Sequence, residues 1–367
     1  MIKIIAFQRE SHVAKDVLSL SVSARIIEAL KYLEDNGLIS YATITDKDPR
    51  SIQAVEWADV VIFSKHNSCE AIDIARYAKK RDVQIIYDID DWIFDFPDYS
   101  GAQKINGKID QIKKMIALSD TITVANKTLK RKMQTICNQV VLVPNGIYVE
   151  KYTNSEWITK ERDNYPRRIV FTNADFLKLN KAKNMLMRAL QEFFHFYPDY
   201  VLDFYGDPFP EMRSLPFLHF TNRMQYQDYM MALISGGYQF AITPLGGYED
   251  EDSFFFNSCK NPFKYLNYGA AGIPGIYSRT PIYENCVTQF KTGLLSDNTY
   301  VDWVDALATM ANDQRLRNQI RKNAYEDIID RFHIKYSAKV LQRIINGDEM
   351  NEDVSMRLKN MIDQCTV

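Results

Sequence analysis

The sequence predicts an α/β protein of two doubly wound parallel-sheet domains that face a central cleft. Short, almost wholly apolar segments alternate with helical patterns, which is typical of parallel strands covered on both faces. The alternation weakens between residues 147 and 166 and then begins again. A chain of 367 residues is also longer than one ordinary hydrophobic core accommodates. We therefore place the first domain at 1–150 and the second at 151–346, with 347–367 either packed back on the first domain or frayed.

The first half of the chain predicts five apolar strands separated by helical patterns. In order they are IKIIAF, DVVIFS (59–64), VQIIYDID (83–90), TITVAN (121–126) and VVLVPNG (140–146). The helix after the first strand has an apolar stripe from Val22 to Leu33. Asn36-Gly37 ends this helix, because glycine readily adopts the left-handed conformation of a helix C-cap.

The second half repeats the pattern and predicts a second parallel sheet. Its strands are RIVFTN (168–173), YVLDFYGD, LHFTN, YQFAITPL and IPGIYS, and its last helices run through YVDWVDALATMAND and QRLRNQIRKNAYEDIIDRF. Ligands of open parallel sheets bind beyond the carboxyl ends of the strands. The polar residues that directly follow each strand are therefore the candidate site residues.

Composition excludes several classes of protein. A net charge of −2 gives no general electrostatic case for binding nucleic acid. The five cysteines are scattered and lack Cys-x-x-Cys spacing, which argues against disulfides and structural zinc. No signal peptide is visible, and no apolar run approaches the ~20 residues of a membrane-spanning helix. We expect a soluble cytoplasmic protein, with contact to the inner face of a membrane left open.

Two stretches resemble a known family. VVLVPNGI (140–147) resembles the interdomain Val-x-Pro-Asn-Gly segment of GT-B glycosyltransferases, notably glycosyltransferase family 4. The block 255–295, FFNSCKNPFKYLNYGAAGIPGIYSRTPIYENCVTQFKTGLL, resembles the donor-site block of that family. The resemblance is continuous from about 140 to 335 and consistent, though weaker, before that. It implies a GT-B fold whose second domain binds a nucleotide-sugar donor and whose first domain binds the acceptor.

The resemblance implies that Lys260 and Lys264 bind the donor diphosphate and stabilise the leaving group. Their spacing places both on one face of a helix predicted over 261–271, beside its unpaired N–H groups. Helix amides and lysines would then neutralise the diphosphate without a metal. The alternative is that both are ordinary solvated lysines.

Asn267 and Cys259 depart from the family pattern, which has a Glu at both positions. The resemblance implies that position 267 contacts the ribose hydroxyls, and an asparagine there both accepts and donates hydrogen bonds. The acidic run 249–252 either replaces the missing carboxylate at 259 or forms a solvated loop. Further donor-site candidates follow the strands of the second domain: Asn173, Lys178, Lys181, Gly206 and Arg223.

Acceptor-side candidates follow the strands of the first domain. Arg9 and His12 come after the first strand, and Asp90 and Asp91 after the strand at 83–90. Asp88-Ile89-Asp90 has the Asp-x-Asp pattern that holds a metal in glycosyltransferases of a different, single-domain fold. Here we predict no metal site. Instead Asp90 or Asp91 orients the acceptor hydroxyl or supports an acceptor-side loop, while Asp88 caps backbone N–H groups. A capping and loop-ordering role for all three is the alternative.

The predicted function is transfer of a sugar from a nucleotide-sugar to a glycan, lipid-linked saccharide or glycoprotein. The resemblance implies a retaining, metal-independent reaction with a UDP- or GDP-sugar as substrate and no cofactor. Basic stretches at 104–114 and 127–132 are either solvated helix faces or contacts to anionic lipid. Two alternative functions stay open. One is a nucleotide-sugar epimerase or hydrolase of the same fold, and the other is a catalytically silent GT-B module, which the missing acids at 259 and 267 favour.

Overall fold

The structure is a computed structural model. It describes residues 1–10, 17–94, 96, 108–159, 166–173, 179, 182–246 and 251–348. Within these residues the chain forms two parallel sheets, each of six strands and flanked by helices.

The first sheet has the strand order β2-β1-β3-β4-β5-β6, and every neighbouring pair is parallel. Its strands are β1 (Ile2–Gln8), β2 (Ile39–Thr45), β3 (Val60–Ser64), β4 (Gln84–Ile89), β5 (Thr121–Val124) and β6 (Val140–Leu142). The sequence predicts five of these six. It misses β2, an edge strand whose side chains are mostly half-buried or exposed and therefore lack the continuous apolar character of the others.

The second sheet has the order β12-β11-β10-β7-β8-β9 and is also wholly parallel. Its strands are β7 (Arg167–Asn173), β8 (Tyr200–Gly206), β9 (Leu218–Thr221), β10 (Phe240–Thr243), β11 (Gly275–Ser278) and β12 (Leu294–Ser296). The edge strand β12 is again the one that the sequence misses. The inner strands β10 and β11 are buried along their whole length, which explains their apolar sequence.

Helices cover both faces of the two sheets. They are α1 (Glu28–Asp35), α2 (Ser51–Trp57), α3 (Cys69–Lys80), α4 (Ile109–Leu118), α5 (Lys127–Met133), α6 (Ser155–Thr159), α7 (Lys183–Phe196), α8 (Tyr226–Ser235), α9 (Glu251–Ser258), α10 (Phe263–Ala270), α11 (Pro281–Glu284), α12 (Tyr300–Asn312), α13 (Gln314–Arg331) and α14 (Ile334–Asn346). None of the helices in the described part of the chain combines the length and the apolar content needed to cross a bilayer.

The first helical segment begins with a π-helical stretch, Val22–Ile27, and continues as α1. Gly37 ends it with φ of 69°, as the sequence predicts. The wider π turn is not visible in the sequence. Such segments recur at functional sites, and this one presents Arg25 to the interior, where its side chain is only 1% exposed.

The last described helix, α14, packs on the first sheet rather than on the second. Ile334, Leu341 and Ile344 join the hydrophobic cluster that contains Ile4 and Leu30. The chain therefore crosses between the two sheets twice, once before and once after the segment that forms the second sheet. The domain boundaries drawn from the sequence stay a prediction, and the segment 347–367 lies outside the described residues apart from 347 and 348.

The two crossings lie against each other and form the hinge region. Ile147 N donates to Phe332 O and Ile334 N donates to Ile147 O, both at 2.9 Å. Gly146 is needed at this contact, because a Cβ there would lie 2.8 Å from Ser337 Oγ and 2.9 Å from Ile334 Cα. The segment that resembles the family's Val-x-Pro-Asn-Gly motif thus passes where only glycine fits.

Candidate active site

The carboxyl ends of the two sheets meet across direct contacts between the halves of the chain. Asn126 Nδ2 donates to Cys259 O at 3.0 Å, and Leu18 N donates to Gln225 Oε1 at 3.3 Å. An aromatic contact closes one side, where the rings of Trp92 and Phe255 lie 5.6 Å apart. Residues that follow strands of the first sheet are therefore in contact with the second half of the chain.

Three predicted acceptor-side residues come together at the edge of the first sheet. Lys65 Nζ forms ion pairs with Asp90 and, at 3.1 Å, with Asp91 Oδ2. Arg9 Nη1 donates to the backbone oxygen of Lys65 at 3.2 Å. His12, the fourth predicted residue, lies outside the described residues.

Asp90 and Asp91 differ in exposure. The Asp90 side chain is 2% exposed and that of Asp91 is 36% exposed. Burial raises the pKa of Asp90, but the charge and hydrogen bond of Lys65 outweigh it and hold that pKa below its ordinary value. Asp90 is thus a buried, ionised anchor, and Asp91 is the carboxylate that an incoming molecule can reach.

Lys65 was missed by the sequence reasoning. It follows β3 directly, so the rule that strand-end residues face the cleft could have identified it. Its backbone is in the left-handed region, with φ of 51°, which is uncommon for a residue other than glycine. Held strain of this kind clusters at functional sites. Its Nζ group contacts two carboxylates.

The prediction that Asp88 caps backbone N–H groups is wrong. Its carboxylate is buried and accepts from Arg25 Nε at 2.8 Å, from Thr123 Oγ1 at 2.7 Å and from Ser64 Oγ at 3.4 Å. A buried carboxylate needs a cation more than a surface cap does. Both acids of the Asp-x-Asp pattern therefore have a protein cation as partner.

The donor-block lysines lie at the start of α10. This helix begins at Phe263, two residues later than the sequence predicts. Lys264 is in its first turn, while Lys260 lies in the loop after α9 with its Nζ 4.8 Å from the ring centre of Phe256. Lys260 also borders a cavity of about 280 Å³, together with Asn126, Asn145, Ser258, Ile282 and Asn285 among others.

Asn267 is placed deeper than the ribose role implies. It is 5% exposed, and its Oδ1 accepts from Tyr226 Oη at 2.9 Å. Tyr229 lies close enough to Asn267 to interact with it electrostatically. Donor binding at this position would have to add to the hydrogen bond with Tyr226 or replace it.

Cys259 packs into the first domain. It is fully buried in the hydrophobic cluster of the first sheet, beside Phe256. Burial, and then the negative charge of Asp91, raise the pKa of its thiol to about 12. The position that carries a family Glu is therefore neutral, but a carboxylate from the opposite domain lies near it. Of the acidic run, Glu251 and Asp252 begin α9, whereas 249 and 250 lie outside the described residues.

Asn173 and Gly206 meet at the ends of β7 and β8. They are register partners, and Asp207 N donates to Asn173 O at 3.1 Å. Gly206 has φ of 121°, a conformation that side chains other than hydrogen rarely allow. Arg223 is half-buried in the segment between β9 and α8. Lys178 and Lys181 lie outside the described residues.

A second, more open groove of about 560 Å³ lies beside β1 and β2 of the first sheet. Its polar lining consists of Gln8, Thr43, Thr45, Asp48, Arg50 and Gln53. Gln8, at one end of this lining, directly precedes Arg9 in the chain. Amides and hydroxyls that both donate and accept match a ligand rich in hydroxyl groups.

His66 is a buried histidine behind this cluster. It is 0% exposed, and its Nδ1 accepts from Ser64 N at 3.1 Å. Burial lowers the pKa of His66 from 6.5 to about 4, with Asp46 opposing the shift and Arg9 adding to it. The histidine is thus neutral at pH 7.

We expect His66 to make folding stability depend on pH. The unfolded chain takes up this proton below pH 6.5, whereas the folded protein resists it down to about pH 4. The contribution is therefore fully present above pH 6.5 and is lost as the pH falls to 4. The free energy of unfolding is measured by urea titration between pH 4 and 7.5. It should rise more steeply with pH in the wild type than in His66→Asn, by at most roughly 1.4 kcal/mol per pH unit. Parallel curves would contradict the assignment.

Comparison by sequence finds no protein-family model that matches the chain and no match among curated proteins. Comparison by structure finds several long matches. HepE from Anabaena, solved with UDP and glucose, has a TM-score of 0.60 at 13% identity, covering 95% of this chain and 100% of HepE. A glycosyltransferase from Rickettsia africae has a TM-score of 0.58 at 12% identity, covering 95% and 99%.

A third structure comes from a different class of enzyme. It is a putative UDP-N-acetylglucosamine 2-epimerase from Listeria monocytogenes, with a TM-score of 0.57 at 9% identity, covering 94% of this chain and 95% of that one. At such low identity the matches establish architecture alone. Two facing parallel sheets, each flanked by helices, and these near-complete superpositions show that the chain has the GT-B fold.

Proposed function

We propose that the protein is a glycosyltransferase that moves a sugar from a nucleotide-sugar to a hydroxylated acceptor. The observation that carries this is the meeting of two sets of charged groups at one interface. Lys260, Lys264 and the first turn of α10 come from the second domain. Lys65 and Asp91 come from the first, and the Asp91 side chain is 36% exposed.

This arrangement suits glycosyl transfer because the two reacting groups have opposite electrostatic needs. A departing nucleoside diphosphate gains negative charge, which lysines and helix N–H groups stabilise. With retention, the acceptor hydroxyl attacks from the side of the departing phosphate, and a phosphate oxygen takes up the hydroxyl's proton. Asp91, the accessible carboxylate, accepts a hydrogen bond from this hydroxyl and orients it. The groove beside Arg9 supplies amides and hydroxyls for the rest of a glycan, a lipid-linked saccharide or a glycoprotein. A metal-free reaction with retention of configuration is part of the proposal and rests on the family resemblance.

We propose a UDP- or GDP-sugar as the donor, and HepE, solved with UDP and glucose, supports the first. Nucleotide at a hundredfold excess over its dissociation constant should raise the free energy of unfolding by about 2.7 kcal/mol. A melting-temperature screen with UDP, GDP, CDP and their sugars measures this. Lys260→Ala and Lys264→Ala should each weaken binding about 10- to 100-fold, because each removes a charge-assisted hydrogen bond.

The control for that screen is Lys339→Ala, an exposed lysine on α14. It should bind nucleotide as the wild type does. If no nucleotide shifts the melting temperature, the silent GT-B module is favoured. The hydrogen bond that already occupies Asn267 points to the same module. Full turnover of a nucleotide-sugar without acceptor would instead indicate an epimerase or hydrolase, the class of the Listeria match.

Asp91→Asn tests the acceptor role. The amide keeps the shape of the side chain but removes the negative charge that orients the hydroxyl, so transfer should fall roughly 100-fold. Nucleotide binding should stay within about threefold of the wild type, since the donor contacts are on the other domain. Asp73→Asn, an exposed acid on α3, is the matched control. An equal loss of transfer and of nucleotide binding would contradict the acceptor role of Asp91.

We also propose that the basic residues of α4 and α5 contact an anionic membrane surface on its cytoplasmic side. Lys113, Lys114, Arg131 and Lys132 are exposed, and each charge near such a surface contributes about 1 kcal/mol. Sedimentation with vesicles of 30% phosphatidylserine, against pure phosphatidylcholine at about 0.1 M salt, measures it. Charge reversal at Lys113 and Arg131 should abolish the difference, and equal binding to both vesicles would refute the proposal.

A further inference from the structure

A single line of side-chain hydrogen bonds crosses the interface from the first domain to the donor block and back. Arg25 Nη1 donates to Asn145 Oδ1 at 2.9 Å. Asn145 Nδ2 donates to Asn261 Oδ1 at 2.6 Å, and Asn261 Nδ2 donates to Asp90 Oδ2 at 2.9 Å. The line thus joins a cation held by Asp88 to the carboxylate held by Lys65.

The two ends of this line fix its direction. Arginine has only donors, so Asn145 must turn its carbonyl oxygen toward Arg25. The amide nitrogen of Asn145 then faces Asn261, which must present its own oxygen there and its nitrogen to Asp90. An ionised carboxylate has only acceptors, so the last bond closes in the same sense. Each asparagine therefore has one orientation that satisfies both neighbours.

Asn261 is where this line touches the second domain. It lies next to Lys260 in the loop between α9 and α10, two residues before the helix that carries Lys264. Asn261 Nδ2 also contacts the backbone oxygen of Asp90 at 3.1 Å. One amide group therefore sets where the donor-block loop lies relative to Asp90 and its neighbour Asp91.

We propose that Asn261 is a positioning residue, which holds the donor lysines in register with the acceptor carboxylates through the line Arg25–Asn145–Asn261–Asp90. The role rests on the proposed glycosyl transfer. Asn261 itself needs no contact with substrate. It acts by fixing the distance between two groups that belong to different domains, and small displacements of reacting groups lower rates strongly.

The polarity of the line gives a test by exchange. In Asn261→Asp, two carboxylates face each other. In Asp90→Asn, the amide nitrogens of residues 90 and 261 face each other. If the new amide turns instead, its nitrogen faces Lys65, which also needs an oxygen. In the double variant, the amide at 90 donates to the carboxylate at 261, which still accepts from Asn145. Lys65 keeps an oxygen acceptor at 90. The double variant therefore rebuilds every bond between side chains of the line with one link reversed, and it loses only the contact with the backbone oxygen of residue 90.

The experiment measures kcat, acceptor KM and nucleotide binding for the wild type, both single variants and the double variant. Each single variant should lower kcat at least tenfold with nucleotide binding within threefold. The kcat of the double variant should be at least tenfold higher than that of the less active single variant. Tyr152→Phe is the control, because it removes a 2.9 Å hydrogen bond between the hinge segment and Glu28 of the first domain, away from this line. It should leave kcat unchanged.

The same four proteins are also compared by melting temperature without any ligand. The double variant should melt higher than the sum of the two single changes predicts, because neighbouring changes in one network couple. This readout stands even if no nucleotide-sugar is turned over, so failure of the proposed function is distinguishable from failure of the line. Additive melting temperatures would overturn the line itself. The positioning role would be overturned if the melting temperature of the double variant departs from the sum of the single changes while its loss of kcat equals the combined losses of the two single variants.

Discussion

The ion pair of Arg25 with Asp88 is the interaction on which the interface between the two domains depends. Both groups are buried, and a buried charge without a partner is strongly unfavourable. Asp88 fixes the guanidinium, which leaves Nη1 directed at Asn145. The orientation of Asn145 then determines that of Asn261, and through it the contact with Asp90. A charge pair within the first domain thus determines how the donor block approaches it.

Hydrophobic contacts fasten the same loop from its other side. Phe256 and Cys259 of the second domain belong to the hydrophobic cluster beneath the first sheet. Asn126 holds the backbone of Cys259 from the start of α5. The donor-block loop is therefore anchored by apolar burial before Lys260 and by a directed hydrogen bond after it. Burial supplies most of the attraction, whereas the amide supplies the register, because hydrogen bonds are directional and hydrophobic contacts are not.

The departures from the family pattern at 259 and 267 have a common structural result. Both positions face protein rather than open space, with Cys259 in an apolar cluster and Asn267 among tyrosine hydroxyls. A glutamate at 259 would bring an unpaired charge into that cluster beside Asp91. The neutral thiol and the nearby carboxylates of the first domain are thus compatible with each other.

The sequence by itself determined the two parallel sheets, because strands buried on both faces must be apolar throughout. It also predicted Arg9, Asp90 and Asp91 at the carboxyl end of the first sheet, since residues after parallel strands share one edge, whereas the prediction for Lys260 and Lys264 came from the family resemblance. It missed the edge strands β2 and β12. Partial exposure relaxes the apolar pattern of β2, whereas β12 is buried but only three residues long, which is too short to give a pattern. Only the tertiary structure decided which charges pair. Asn261 and Asp90 are 171 residues apart, and Arg25 and Asp88 are 63 apart. No local pattern records such partners, because they are selected by burial at an interface that exists only once both domains have folded.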